Sequence, residues 1–189
     1  AEYPGSRLAT ATRFVADVMN GTPSIVVGVF AWAWIVAQQK HFSAFAGAVA
    51  LAFLMIPMVL RTTEEMVKLV PHSLREAALA LGYPRWRTSL SIVVRTTLPG
   101  IVTGSLLAVA RIAGETAPLL FTALGSAFMA TNLDQPMAAL PLVVYSYAIG
   151  PFEEWHRLAW ATALVLILVV FVLSLAARIA TRRRFTLRG

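Results

Sequence analysis

The sequence predicts an all-α membrane protein with four transmembrane helices. Of its 189 residues, 58% are hydrophobic and only 13% are charged, which is too apolar for an ordinary soluble domain of this size. Two charge-free runs, residues 42–60 and 158–177, approach or reach the roughly 20 residues that cross a bilayer. The net charge of +7 comes from cations at the ends of apolar runs, a pattern typical of membrane orientation and not of nucleic-acid binding.

Each predicted span has its own sequence signals. The first ends at a polar Gln-Gln-Lys stretch, Pro57 bends the second, and the third carries charged residues near its middle. The loop 125–157, between the third and fourth spans, contains a Pro-punctuated stretch, 137–149. This stretch is too short to cross and predicts a re-entrant or interfacial helix on the outer side. The four spans are predicted at about residues 22–39, 42–60, 98–124 and 158–177.

The loop between the second and third spans, residues 61–97, is polar and basic. Ser73 and Glu76 have the spacing of a capping box, which predicts a short helix over residues 74–81. Gly82 suits the left-handed residue that ends such a helix, and the proline two residues later can open a second short helix. The sequence of this loop therefore predicts a pair of short helices to which a soluble partner could bind.

Cationic residues predict the orientation. If the loop 61–97 is cytoplasmic, four crossings place the first 20 residues and the C-terminal tail on the same side. Only Lys40 and Arg157 then fall outside. Thirteen cations lie inside: the six of the loop, together with Arg7, Arg13, Arg178, Arg182, Arg183, Arg184 and Arg188.

Arg111 and Glu115 lie inside the third predicted span, where ionisable side chains are costly and by default indicate a functional site. Pro118 lacks an amide hydrogen and crowds the carbonyl of Gly114, so the helix is expected to break between them. A half-helix restarting at Pro118 would point positive backbone amides at the membrane middle, and Arg111 could bind an oxyanion there. The alternative is a structural ion pair between Arg111 and Glu115 on one helix face.

Other chemistry receives no support from the sequence. Without cysteine, neither disulfides nor thiolate-metal sites can form. The three histidines are scattered, and no Gly-rich phosphate loop, Ser/His arrangement or carboxylate pair is present. We expect no enzyme, no metal and no cofactor. Gly100, Gly104 and Ala108 lie on one side of the third span, where small residues allow another helix, from this chain or a second subunit, to approach closely.

Several motifs carry a family resemblance. Glu76-Ala77-Ala78 with Gly82 and Ile92 resembles the Glu-Ala-Ala loop of bacterial ABC importer permeases. The runs NGTPSIVVGVFAW from Asn20, RTTEEMVKLVP from Arg61 and ARIAGETAPLLFTALGS from Ala110 resemble the PstA-type permeases of the phosphate importer. The resemblance implies a type I ABC importer permease core in the bacterial inner membrane, and because relatives usually have six spans, this chain is expected to begin after two of them.

The resemblance also implies partners and residue roles. The partners would be a PstC-type second permease, two PstB-type ATPase subunits that hydrolyse ATP, and a PstS-type periplasmic binding protein, with inorganic phosphate as substrate. Glu76, Ala77, Ala78 and Gly82 would couple the chain to the ATPase. Arg111, Glu115 and Thr116 would line the pathway, while Arg61 would either snorkel to the surface or stand at the inner mouth.

Three alternatives stay open. A permease of the same class for another oxyanion or solute would share the coupling loop, a membrane-embedded enzyme would use Arg111 and Glu115 for chemistry, and a sensor would bind without transport.

Overall fold

The computed structural model describes the backbone of residues 5–185 and the side chains of residues 5–179. The tail cations Arg182, Arg183, Arg184 and Arg188 therefore lie outside the described side chains. Residues 5–185 form helices and connecting turns without a strand. The helices are α1 (Arg7–Gly21), α2 (Ser24–Gln39), α3 (Ala44–Lys68), α4 (His72–Ala80), α5 (Arg85–Ile112), α6 (Ala117–Thr122), α7 (Leu140–Ala148) and α8 (Glu153–Phe185).

Within the described residues, three helices are long and apolar enough to cross a membrane: α3, α5 and residues Glu153–Ile179 of α8. The number rises to four if α1 and α2 together count as one broken span. Helix α2 contains a π-helical segment, Trp32–Val36, and α5 contains another, Ser89–Val94. The positions at which these three or four helices enter and leave the membrane stay a prediction.

Two helices differ in length from the predicted spans. Helix α3 continues through Pro57 and past Leu60 to Lys68, because its charged last turns form ion pairs instead of ending the helix. Helix α5 begins at Arg85 and ends at Ile112, so it starts well before the predicted third span, 98–124. The interruption predicted within that span separates α5 from α6. The predicted second short helix of the polar loop is the first turn of this long helix, since the backbone after Thr88 stays helical through the π-helical segment.

One compact unit contains the described residues 5–20, 56–108 and 175–185. In it α3 and α5 approach closely: a methyl group on Gly100 would lie 2.5 Å from the Met66 sulfur, and one on Gly104 would lie 3.0 Å from the Thr62 Cβ. The predicted face of small residues therefore exists, and its partner is α3 of the same chain. After the last turns of α3, this unit contains a cluster of three buried valines, Val67, Val70 and Val93.

The other unit consists of residues 21–55 and 109–174. Its short helix α6 is buried, and Gly28 of α2 packs so tightly on it that a methyl group there would lie 2.7 Å from the Pro118 Cα. Gly47 of α3 also packs on α6: a methyl group at Gly47 would lie 3.1 Å from the Leu119 side chain. The predicted short helix of the loop 125–157 is present as α7, which starts at Leu140 because Ala139 is extended. Its position on the outer side stays a prediction.

The beginning of α3 is closed by polar contacts within this second unit. The Ser43 hydroxyl accepts a hydrogen bond from the Ala46 amide at 3.2 Å, in the manner of a helix cap. The amides of Ala44 and Phe45 donate at 2.9 Å to the carbonyls of Gln135 and Leu133. The loop after α6 thus satisfies amides that would otherwise have no partner at the helix start.

Candidate functional site

The predicted helix break is present between α5 and α6. Helix α5 ends at Ile112, and the next amides fold back in tight turns: Gly114 donates to the Arg111 carbonyl at 3.2 Å and Glu115 to the Ile112 carbonyl at 3.0 Å. Helix α6 then starts at Ala117 with a proline in its first turn. The break follows from the local chemistry, because Pro118 cannot donate to the carbonyl of Gly114.

The side chains around the break differ in exposure. Arg111, on the last turn of α5, is exposed in the isolated chain, and Glu115 and Thr116 are partly buried. Pro118 and Thr122 are buried, and the Thr122 hydroxyl donates to the Pro118 carbonyl at 2.7 Å. The break therefore combines an anchored helix on one side with an accessible guanidinium on the other. Whether Arg111 and Glu115 pair with each other stays a prediction.

The structure weakens one part of the anion hypothesis, the contribution of the helix dipole. The half-helix expected to direct its dipole at an anion starts at Ala117 and has only 6 residues. A helix of under two turns aligns few peptide dipoles, so its N-terminus contributes little by itself. The role of Arg111 in binding an anion stays a prediction, and the short helix by itself gives it little support.

Helix α4 contains the predicted coupling residues Glu76, Ala77 and Ala78, and Gly82 follows its end. The start of the helix differs from the prediction. It begins at His72, preceded by Pro71 with φ −58° and ψ 142°, and no side chain caps it. The predicted capping box of Ser73 and Glu76 is therefore wrong, because Pro71 starts the helix early and places Ser73 inside its first turn. Glu76 is exposed, so its carboxylate points to solvent instead of closing the helix start.

The remaining coupling residues divide into an outer and an inner group. Ala77 is exposed, whereas Ala78 is buried within the chain, and the Ala78 carbonyl accepts the Tyr83 amide at 3.2 Å. Gly82 has φ +82°, which confirms the predicted left-handed residue. Large apolar side chains accompany Glu76 and Ala77 on the exposed surface, which we call the docking surface: Leu74, Leu79, Leu81 and Trp86.

Sequence reasoning missed a cluster of charged residues where α1 meets the last turns of α3. Glu64 is only 9% exposed and accepts contacts from Arg13 at 2.6 Å, Arg61 at 3.1 Å and Lys68 at 2.9 Å. Arg61 also contacts Asp17. We call these five residues the α1–α3 ion cluster. The residues on α3 could have been predicted from the sequence, because their charges are three and four residues apart. The participation of the residues on α1 could not.

The cluster bears on the two predicted roles of Arg61. Its guanidinium already contacts two carboxylates, Asp17 and Glu64, and is 30% exposed. The Arg61 side chain therefore does more than reach toward the membrane surface, because it forms ion pairs with both residues. At the inner mouth of a pathway, a passing anion would have to compete with both carboxylates, so the role of Arg61 as a substrate contact stays a prediction.

The class of protein follows from the fold. Apolar helices long enough to span, one of them broken beside an arginine, define a multi-pass membrane protein, and the same fold occurs in a solved structure. The inward-facing MetNI methionine ABC transporter aligns over 95% of this chain and 79% of its own chain, with a TM-score of 0.71 and 19% sequence identity. At that identity the likeness shows the fold, and it confirms the predicted permease core.

The chain belongs to the family of binding-protein-dependent transport system inner membrane components, whose model matches residues 1–186. It is similar to the phosphate transport system permease PstA of Yersinia pestis, with 53% identity over 95% of this chain and 61% of that protein. PstA of Haemophilus influenzae is 51% identical over 95% of this chain and 64% of its length. PstA 1 of Mycobacterium tuberculosis is 45% identical over 97% of this chain and 61% of its length.

These comparisons confirm the predicted resemblance to PstA-type permeases. The chain spans less than two thirds of the length of these curated relatives.

Proposed function

We propose that the chain forms half of the translocation pathway of an ATP-driven phosphate importer in the bacterial inner membrane. The observation that carries this proposal is the broken helix at residues 113–116, with an accessible Arg111 at its edge, in a chain about half identical to phosphate permeases. Irregular backbone within an apolar helix is tolerated where it lines a cavity. A cavity that carries phosphate needs a cation at such a place.

Arg111 is the phosphate contact in this proposal. A guanidinium stays protonated and presents paired donors that match two phosphate oxygens. Glu115, one turn further along, holds Arg111 while no substrate is present and yields to a passing anion. The Thr116 hydroxyl adds a neutral donor beside them, and Gly114 with Pro118 keeps the backbone open.

The docking surface is the contact with the ATPase subunits. Glu76 and Ala77 are exposed, and Leu74 and Leu81 provide apolar anchors beside them. Gly82 ends the helix and fixes the direction in which α4 is presented. An amphipathic helix of this kind fits a groove in a partner, and PstB-type subunits hydrolyse the ATP that this chain cannot.

The remaining partners and the orientation follow from the same proposal. A PstC-type permease provides the other half of the pathway, and a PstS-type protein delivers phosphate from the periplasm. The excess of cations near the docking surface supports a cytoplasmic position for it and for the C-terminal tail. Closure of the ATPases on ATP then moves the docking surface and opens the pathway outward.

Reconstitution of the complete importer in liposomes tests the proposal. We expect ATP-dependent entry of labelled phosphate, and its loss in Arg111→Gln with the complex still assembled. Arg157→Gln removes an exposed arginine from α8, outside the proposed pathway, and should transport normally. Normal uptake by Arg111→Gln would refute the role of Arg111, and stronger competition by sulfate than by phosphate would assign the pathway to another oxyanion.

A further inference from the structure

Only Arg61 of the α1–α3 ion cluster is a candidate for the pathway, yet the cluster is the most concentrated group of charges among the described side chains. Glu64 is almost buried and receives three cations. A buried carboxylate is strongly destabilising once its partners are removed. Two of these cations, Arg61 and Lys68, are on α3 itself, so Arg13 is the partner that connects the carboxylate to α1.

Among the described side chains, α1 makes two charged contacts with α3: Arg13 with the almost buried Glu64, and the more exposed Asp17 with Arg61. Exposed ion pairs contribute little, so the first contact is the stronger one. The large apolar side chains of α1 are exposed: Leu8, Phe14, Val15 and Val18. The groove of about 350 Å³ between the two helices is lined on the α1 side by Ala9, Thr12 and Arg13. Small side chains bury little apolar area, so charge and hydrogen bonding, more than apolar packing, attach α1 to α3.

The same end of α3 is fixed to the docking surface. The Arg75 guanidinium, on α4, donates to the carbonyls of Val67 at 2.9 Å and Val70 at 2.5 Å. The valine cluster adds Val93 of α5 to this contact. Glu64 lies one turn before Val67, so α4 and α1 attach to neighbouring turns of one helix.

We infer that Arg13 and Glu64 are positioning residues that clamp α1 to the end of α3, so that α1 moves with the docking surface when ATP binds. The clamp itself is a property of this chain, whereas its use in transport rests on the proposed function. Neither residue contacts the substrate in this scheme. Without the clamp, α3 moves with α4 while α1 stays behind.

Cysteine labelling tests the clamp without reference to phosphate. The chain has no cysteine, and Ala16 of α1 is 3% exposed, so Ala16→Cys reports separation of α1. In the purified complete importer we expect slow maleimide labelling with and without a non-hydrolysable ATP analogue. Adding Arg13→Gln should accelerate labelling about tenfold in the presence of the analogue, the lower range for a lost hydrogen bond to a charged group.

The matched control is Arg7→Gln, which removes an exposed charge from the same helix and should label like the parent. Equal labelling of Arg13→Gln and Arg7→Gln would overturn the clamp. Rapid labelling of the parent on addition of the analogue would overturn it too, because α1 would then separate while the clamp is intact. Either result leaves the proposed function unaffected.

A second measurement guards against a folding defect. In Arg13→Cys/Glu64→Cys, a thiol cross-linker replaces the charged contact by a covalent one. We expect this variant to hydrolyse more ATP per phosphate imported before cross-linking and to return to the parental ratio afterwards. A cross-linked protein that stays uncoupled would overturn the positioning role, whereas a parent that imports no phosphate would instead refute the proposed function.

Discussion

Replacing Gly28 by alanine should separate α2 from α6. The added methyl group would lie 2.7 Å from the Pro118 Cα and 3.3 Å from the Ala117 carbonyl oxygen. Both are backbone atoms, so no side-chain rotation relieves the overlap. Carbon atoms pack at about 3.5–4.0 Å, and α2 must therefore move by about 1 Å. Such overpacking costs about 1–3 kcal/mol.

The assay is the melting temperature of the purified complex. We expect Gly28→Ala to melt below the parent and to transport less phosphate, because α6 anchors the broken helix. Gly21→Ala is the control, since a methyl group at Gly21 meets nothing within 4 Å. A Gly28→Ala protein that melts at or above the parental temperature would refute the reasoning, because it would show that the two backbones are not in contact.

Substitutions at two further glycines test a close helix contact, at Gly104, and a left-handed backbone conformation, at Gly82. Gly104→Val should lower the melting temperature, because Thr62 of α3 occupies the space for its side chain, whereas Leu106→Ala, at an exposed position of α5, should have a smaller effect. Gly82→Ala should reduce phosphate-stimulated ATP hydrolysis, because φ +82° costs a residue with a Cβ about 1 kcal/mol. Gly82→Asn tolerates this conformation and should recover part of the activity; equal activity of all three proteins would contradict the argument.

Local backbone rules account for what the sequence could predict. The break before Pro118 and the left-handed conformation of Gly82 depend on one residue and its immediate neighbours, and both were correct. The face formed by Gly100 and Gly104 was also correct, because its spacing is a property of a single helix. The partner of that face was left open, since one helix does not reveal what packs on it.

Three features could not be read from local patterns. Ser73 and Glu76 have the spacing of a capping box, but Pro71 starts the helix earlier, so two local signals compete and the proline prevails. The long extent of α5 was missed because charged residues in its first turns look like a loop. The contact between Arg13 and Glu64 joins residues 51 positions apart, and no periodicity encodes it.

The carbonyls of Leu133 and Gln135 accept hydrogen bonds from the first amides of α3. This stretch of the loop 125–157 is therefore fixed to a helix terminus. Only a few residues earlier, Phe128 and Met129 are 85% and 95% exposed. An epitope tag beside Met129 should leave the helix start intact, whereas one between Leu133 and Gln135 would pull both acceptors away. The usable insertion point in this loop is therefore narrow, and it lies on the side nearer α6.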